Sequence, residues 1–157
     1  MKSIFKFSLL CFVITVYTNC NQTKKTSATE NSMAESKKTN ANLTETYWKL
    51  TELLGKPVAM TPADKKEIHI TLRKEGNRIE GFGGCNGFGG TYETKNNFNI
   101  SFGSMIGTMI ACPALETENE LFNVLKTADN YYVIGDTLSL SKGRMATMAK
   151  FVAVYFK

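Results

Sequence analysis

From Leu43 onward the chain alternates apolar and polar positions in short runs. In "TYWKLTEL", Trp48, Leu50 and Glu52 lie opposite Tyr47, Lys49 and Thr51. A period of two predicts a first strand, with the lone tryptophan as its core anchor. "EIHITLR" sets Ile68, Ile70 and Leu72 against His69, Thr71 and Arg73, a strand with one wet face. Between them lies a turn-rich connection with room for a short strand at Val58–Met60. "IEGFGG" and "GFGGTYE" read as two strands interrupted by glycines, with Cys85 and Asn86 between them. "NFNISF" alternates Phe98, Ile100 and Phe102, and "GSMIGTMIACP" is a short extended or irregular stretch ended by Pro113.

The period then changes. From Ala114 to Asp129, Leu115, Leu121, Phe122, Leu125 and Ala128 form one apolar stripe at helical spacing. Glu116, Glu118 and Glu120 fall early, where the helix dipole favours acids, and Pro113 stands at the helix entrance. "NYYVIGDTLSLS" is a hairpin around a Gly-Asp turn. "MAKFVAVYFK" is apolar on both faces, which predicts a central strand. Many antiparallel strands with one late helix predict an α+β fold. The expected form is a curled, half-barrel-like antiparallel sheet, with one main helix inserted before the last strands. No β-α-β alternation supports a parallel nucleotide-binding sheet.

The N-terminal part follows different rules. Lys2 and Lys6 precede an apolar run from Phe7 to Tyr17, shorter than the roughly 20 residues a membrane helix needs. That is the layout of a secretory signal peptide. Its exit, Val16-Tyr17-Thr18-Asn19-Cys20, resembles a relaxed lipobox, so residues 1–19 are expected to be a lipoprotein-type signal. Cys20 is then the lipidated first mature residue; the alternative is a soluble periplasmic protein cleaved nearby. Residues 20–42, rich in Lys, Thr, Ser, Asn and Glu, have almost nothing to bury and predict a flexible, lipid-anchored linker. That leaves 43–157 as a single domain.

Charge adds little. The formal net charge of +5 falls to +3 without Lys2 and Lys6, and no dense basic cluster exists, so nucleic acid is not an expected partner.

"GFGGCNGFGGTYE" holds six of the twelve glycines. A phosphate-binding loop would need a helix directly after its last glycine. Here Thr91-Tyr92-Glu93 continues a strand. A cysteine nucleophile would need a histidine beside it, and His69 is the only one in the chain. Zinc would need ligands at metal-type spacing, which Cys85, Cys112 and His69 do not provide. No cofactor or metal is therefore expected. Scaffold is the remaining reading. Glycines in strands mark bends and close backbone approaches, and Gly84, Asn86 and Gly87 form the structural corner, with Asn86 and Gly87 as the positions for positive φ. Cys85 and Cys112 are the two cysteines left for the folded domain. An even pair in an oxidising compartment predicts a disulfide; two buried free thiols are the alternative.

At these residues the chain resembles the META domain, the family of the heat-shock protein HslJ. The likeness runs through Trp48–Leu50, Ile79–Tyr92, Gly107–Cys112, Glu118–Leu125 and Tyr132–Leu140. Two positions depart from the family pattern: Gly87 stands where a basic residue commonly follows Gly-Cys-Asn, and Thr108-Met109-Ile110 lacks another. The resemblance implies an envelope lipoprotein or secreted setting and links to heat stress and drug tolerance. It implies no catalytic site.

The resulting expectation is a non-catalytic envelope lipoprotein, most simply on the periplasmic face of the outer membrane, acting by binding or in stress tolerance. Its partners would be the bilayer, through the anchor, and a protein or small apolar ligand. An alternative is a chaperone module for an acyl chain or lipoprotein tail, with Phe82, Phe88, Met105 and Met109 as the candidate cleft. An inhibitor of an exogenous enzyme ranks below both, because no inhibitory loop is recognisable.

Overall fold

A computed structural model describes residues 41–58 and 66–156. The expected signal peptide, the lipidation site Cys20, nearly all of the linker, and Ala59–Met60 lie outside the described residues.

Among the described residues ten strands and one α-helix follow one another as β1 (Tyr47–Leu53), β2 (Lys56–Pro57), β3 (His69–Arg73), β4 (Arg78–Phe82), β5 (Gly87–Lys95), β6 (Asn99–Phe102), β7 (Ile106–Gly107), α1 (Leu115–Thr127), β8 (Asn130–Ile134), β9 (Thr137–Ser141) and β10 (Thr147–Val154). All pairings are antiparallel, in the order β10-β9-β8-β6-β5-β4-β3-β1, and β1 also pairs with β10. The ring is therefore closed. The molecule is an eight-stranded antiparallel barrel with β2 and β7 attached outside the ring, and the expected half-barrel α+β fold is wrong. The reason is the β1–β10 seam, running from Tyr47↔Val154 to Leu53↔Ala149. Alternation along a strand says which face is buried but not which strand lies beside it. Closure satisfies backbone groups that an open sheet would leave at two edges.

The core confirms much of the local reading. Trp48, Leu50, Ile70, Leu72, Ile79, Leu138, Leu140 and Phe151 are buried inside the barrel. Trp48 is fully buried, and its indole N–H donates to the Leu43 carbonyl at 2.9 Å. A register shift between Leu50 and Glu52 turns Leu53 inward and leaves Glu52 to pair with Lys150 at 2.8 Å. A bulge that re-aims a strand in this way is invisible to a strict period of two. β10 is central, paired on both sides, with Ala149 and Phe151 inside and Val152 and Val154 half-exposed. The wet face of β3 is drier than expected: Thr71 is buried, and His69 stacks on Tyr47 with ring centroids 4.2 Å apart. The packed region begins before Leu43, since Ala41 is buried and its N–H donates to Gly135 O at 3.0 Å.

Helix α1 is two residues shorter at its end and one at its start than expected. It contributes Leu121, Val124 and Leu125 to the core, whereas Leu115 stays exposed. The chain between β6 and β8, which share one paired position, Asn99↔Asn130, carries β7, Cys112 and α1. This excursion builds the site.

Candidate functional site: the Gly-Cys-Asn corner

β4 and β5 are joined by a tight reversal, Gly83-Gly84-Cys85-Asn86, in which Gly83 N–H donates to Asn86 O at 2.9 Å. The positive φ of the turn, +122°, falls on Gly84, where Ala114 Cβ also approaches to within 3.1 Å of an added Cβ. Asn86 and Gly87, expected to supply the positive φ, are not among the positive-φ residues. Asn86 has a different task.

Asn86 is 2 % exposed, and its side-chain amide is fully engaged. Oδ1 accepts from Thr108 Oγ1 and from Ile110 N–H, both at 2.7 Å. Nδ2 donates to Ile110 O at 3.0 Å and to Glu118 Oε1 at 2.6 Å. One amide thus pins the segment after β7 to the corner and to α1. Glu118, equally buried, completes the lock: its Oε2 accepts from Cys85 N–H at 3.0 Å and from Asn86 N–H at 2.6 Å. A buried carboxylate is tolerable when its oxygens are saturated with donors, and the helix N-terminus adds favourable potential. Among the described residues no buried side-chain nitrogen or oxygen lacks a partner.

Cys85 and Cys112 form a disulfide with Cα atoms 5.7 Å apart, as the even pair predicted. It closes the same corner covalently. The neighbouring glycines allow strands to press together. A Cβ on Gly81 would run into His69 O and lie 2.8 Å from Phe88 Cζ; one on Gly90 would lie 2.9 Å from Ser104 O. At these positions a side chain would meet neighbouring backbone, a reason for glycine there.

The chemistry left for the corner is limited. Cys85 is held in the bridge, and Asn86 and Glu118 are saturated by their neighbours. His69 sits in the Tyr47 stack, where its Nδ1–H donates to the Glu67 carbonyl at 2.9 Å; a carbonyl only accepts, so Nδ1 carries the proton. Burial holds this imidazole below its ordinary value of 6.5. Among the described residues no cluster of three His, Cys, Asp or Glu side chains could hold a metal ion.

The candidate-cleft residues part company. Phe88 is a core residue, edge-on to Phe122 at 4.9 Å. Phe82 is half-buried under the Lys66 ammonium, 5.0 Å from its ring centroid. Met105 and Met109 line an outer groove between the β7 segment and α1. Two adjoining cavities of about 550 and 510 Å³ make up that groove and share Met105, Gly107 and Phe122. The feature missed from sequence was Glu118. It lies three residues before Leu121 and seven before Leu125, so an acid on the apolar stripe was the available signal.

Barrel and corner together define a small, disulfide-stapled, closed antiparallel barrel with its glycine-rich run at close backbone approaches. Residues 41–155 match the META domain family model, and the chain belongs to that family. Among solved structures, an NMR structure of a protein from Burkholderia xenovorans is 28 % identical, with a TM-score of 0.57 over 71 % of this chain and 83 % of that one. A second NMR structure, 22 % identical with a TM-score of 0.53 over 68 % and 88 % of the two chains, shares the fold. No curated protein matches the chain.

Proposed function

We propose that this META-domain protein is a non-catalytic lipoprotein of the cell envelope. In this reading it is anchored through Cys20 to the periplasmic face of the outer membrane and works by binding, in support of envelope stress tolerance. The observation that carries the reading is the Cys85–Cys112 disulfide. Such bonds persist in oxidising compartments, and the N-terminal segment has the layout of an export signal. The binding role is supported by the corner: the residues that would make an enzyme of it are engaged in holding the fold.

The test is a peptide mass map of protein from its native membrane fraction, with and without reduction. Acylated Cys20 together with a Cys85–Cys112 cross-link is the expected result. An unmodified N-terminus in a cytoplasmic fraction overturns the anchor and the location. A deletion strain should be more sensitive than its parent to heat, detergent or antibiotic; identical survival under all three overturns the stress role.

A further inference from the structure

We propose that the groove between α1 and the β7 segment binds a single-chain anionic amphiphile, a long-chain fatty acid. The apolar tail would lie along the groove and the carboxylate at Lys126. This deepens the binding role proposed above and rests on it.

One wall is a face of α1. Leu115, Asn119, Phe122 and Lys126 succeed one another by four, three and four residues, so they line up along one side of the helix. From Leu115 to Lys126 the axis rises about 16 Å. One leaflet of a bilayer's roughly 30 Å hydrocarbon core is about 15 Å deep, so this helix face matches the depth that acyl chains span in a fluid leaflet. The other wall is unusually apolar for a surface. Ile106 is 80 % exposed, Met109 98 % and Ile110 61 %. These three large apolar side chains of one short segment line the same cavity, an exposure of the kind that marks binding sites.

Charge gives the groove a direction. Among its described lining residues the charged side chains are Glu118 and Lys126. Glu118 is buried and bonded to Cys85 and Asn86, whereas Lys126 is exposed at the opposite end. A trough that is apolar along Leu115, Met109, Met105 and Phe122, and polar where Ser104 and Asn123 flank the accessible cation Lys126, is complementary to a hydrocarbon tail carrying one anionic head. The walls are also held apart. The Asn86 amide and the disulfide fix the β7 segment from its inner side, so the groove cannot close by collapse of that segment onto α1. Pre-formed apolar concavities with few polar groups are the usual form of small-molecule sites.

The experiment titrates the full-length chain carrying Cys20→Ser, which removes the proposed lipidation site, with palmitate. Hexadecyltrimethylammonium and an extended apolar peptide serve as comparisons, and native mass spectrometry and calorimetry give the readout. One palmitate per chain is expected. Lys126→Glu should weaken palmitate by roughly fivefold to tenfold and strengthen the cationic amphiphile, consistent with exchange of one partly exposed charge pair. Met109→Asp should abolish binding of both amphiphiles with an unchanged melting temperature. Absence of a one-to-one palmitate complex overturns the proposal. So does palmitate affinity unaffected by both substitutions, or saturable binding of the peptide alone. The Cys20 mass map on the wild-type chain is independent: an acylated, oxidised protein that binds no palmitate loses the groove and keeps the envelope reading.

Discussion

The two sides of the segment from Met105 to Cys112 differ in what they touch. On its inner side Thr108 Oγ1 and the Ile110 backbone are tied to Asn86, and Cys112 is bonded to Cys85. On its outer side Ile106, Met109 and Ile110 stand in solvent. The inner side is a closed polar lock, the outer side an open apolar wall. The contrast teaches that one short segment can hold the fold with one face and leave its apolar side chains to solvent on the other. The family's glycine-rich motif belongs to the first face, and the candidate ligand surface to the second.

This division can be broken most severely at Glu118. Glu118→Leu strands the N–H groups of Cys85 and Asn86 and one Asn86 side-chain donor. The expected loss is about 3–5 kcal/mol, read from the midpoint of urea unfolding. An unchanged midpoint would mean the lock contributes nothing. The Cys85→Ser, Cys112→Ser double variant should lose about 3–4 kcal/mol by the loop-entropy model, a melting temperature lower by roughly 10 °C or more. Gly81→Ala, which forces a Cβ against His69 O and Phe88, should cost about 1–3 kcal/mol in the same unfolding assay.

A smaller effect comes from β3, where His69 pairs with Phe82 just before the corner. Burial lowers the affinity of His69 for its proton; the Glu67 carbonyl opposes the shift, and Lys66 adds to it. The unfolded chain binds that proton more readily, so stability is fully present above about pH 6.5 and declines as pH falls below it. Unfolding across pH 4.5–8 should show this shallow decline, flattened in His69→Phe. At the outer wall Met109→Asp should change stability by less than about 0.5 kcal/mol while removing ligand, the sharpest statement of the difference between the two faces.

Much of the fold was legible locally. Trp48, Ile70, Leu72 and Phe151 are where alternation puts them, the Gly135-Asp136 hairpin forms, and α1 lies within two residues of its expected ends. The disulfide was legible from the count of cysteines. Leu53 and the corner's backbone were not. Leu53 turns inward through a bulge that depends on the pairing of β1 with β10. Positive φ at the corner fell on Gly84 because Asn86 is oriented by Thr108, Ile110 and Glu118, residues 22 to 32 positions away.

The sequence by itself determined the family, the single late helix, the faces of most strands and the cysteine pair. Each follows from local periodicity, composition or a contiguous motif. Only the tertiary structure decided that the sheet closes, that the first-turn acid Glu118 is also a buried acceptor for the corner, and that Phe88 is core while Met109 is surface. The physical reason is the same in all three cases. Each depends on which distant backbone edge or side chain satisfies a polar group or covers an apolar one, and that pairing exists only after the chain has brought its ends together.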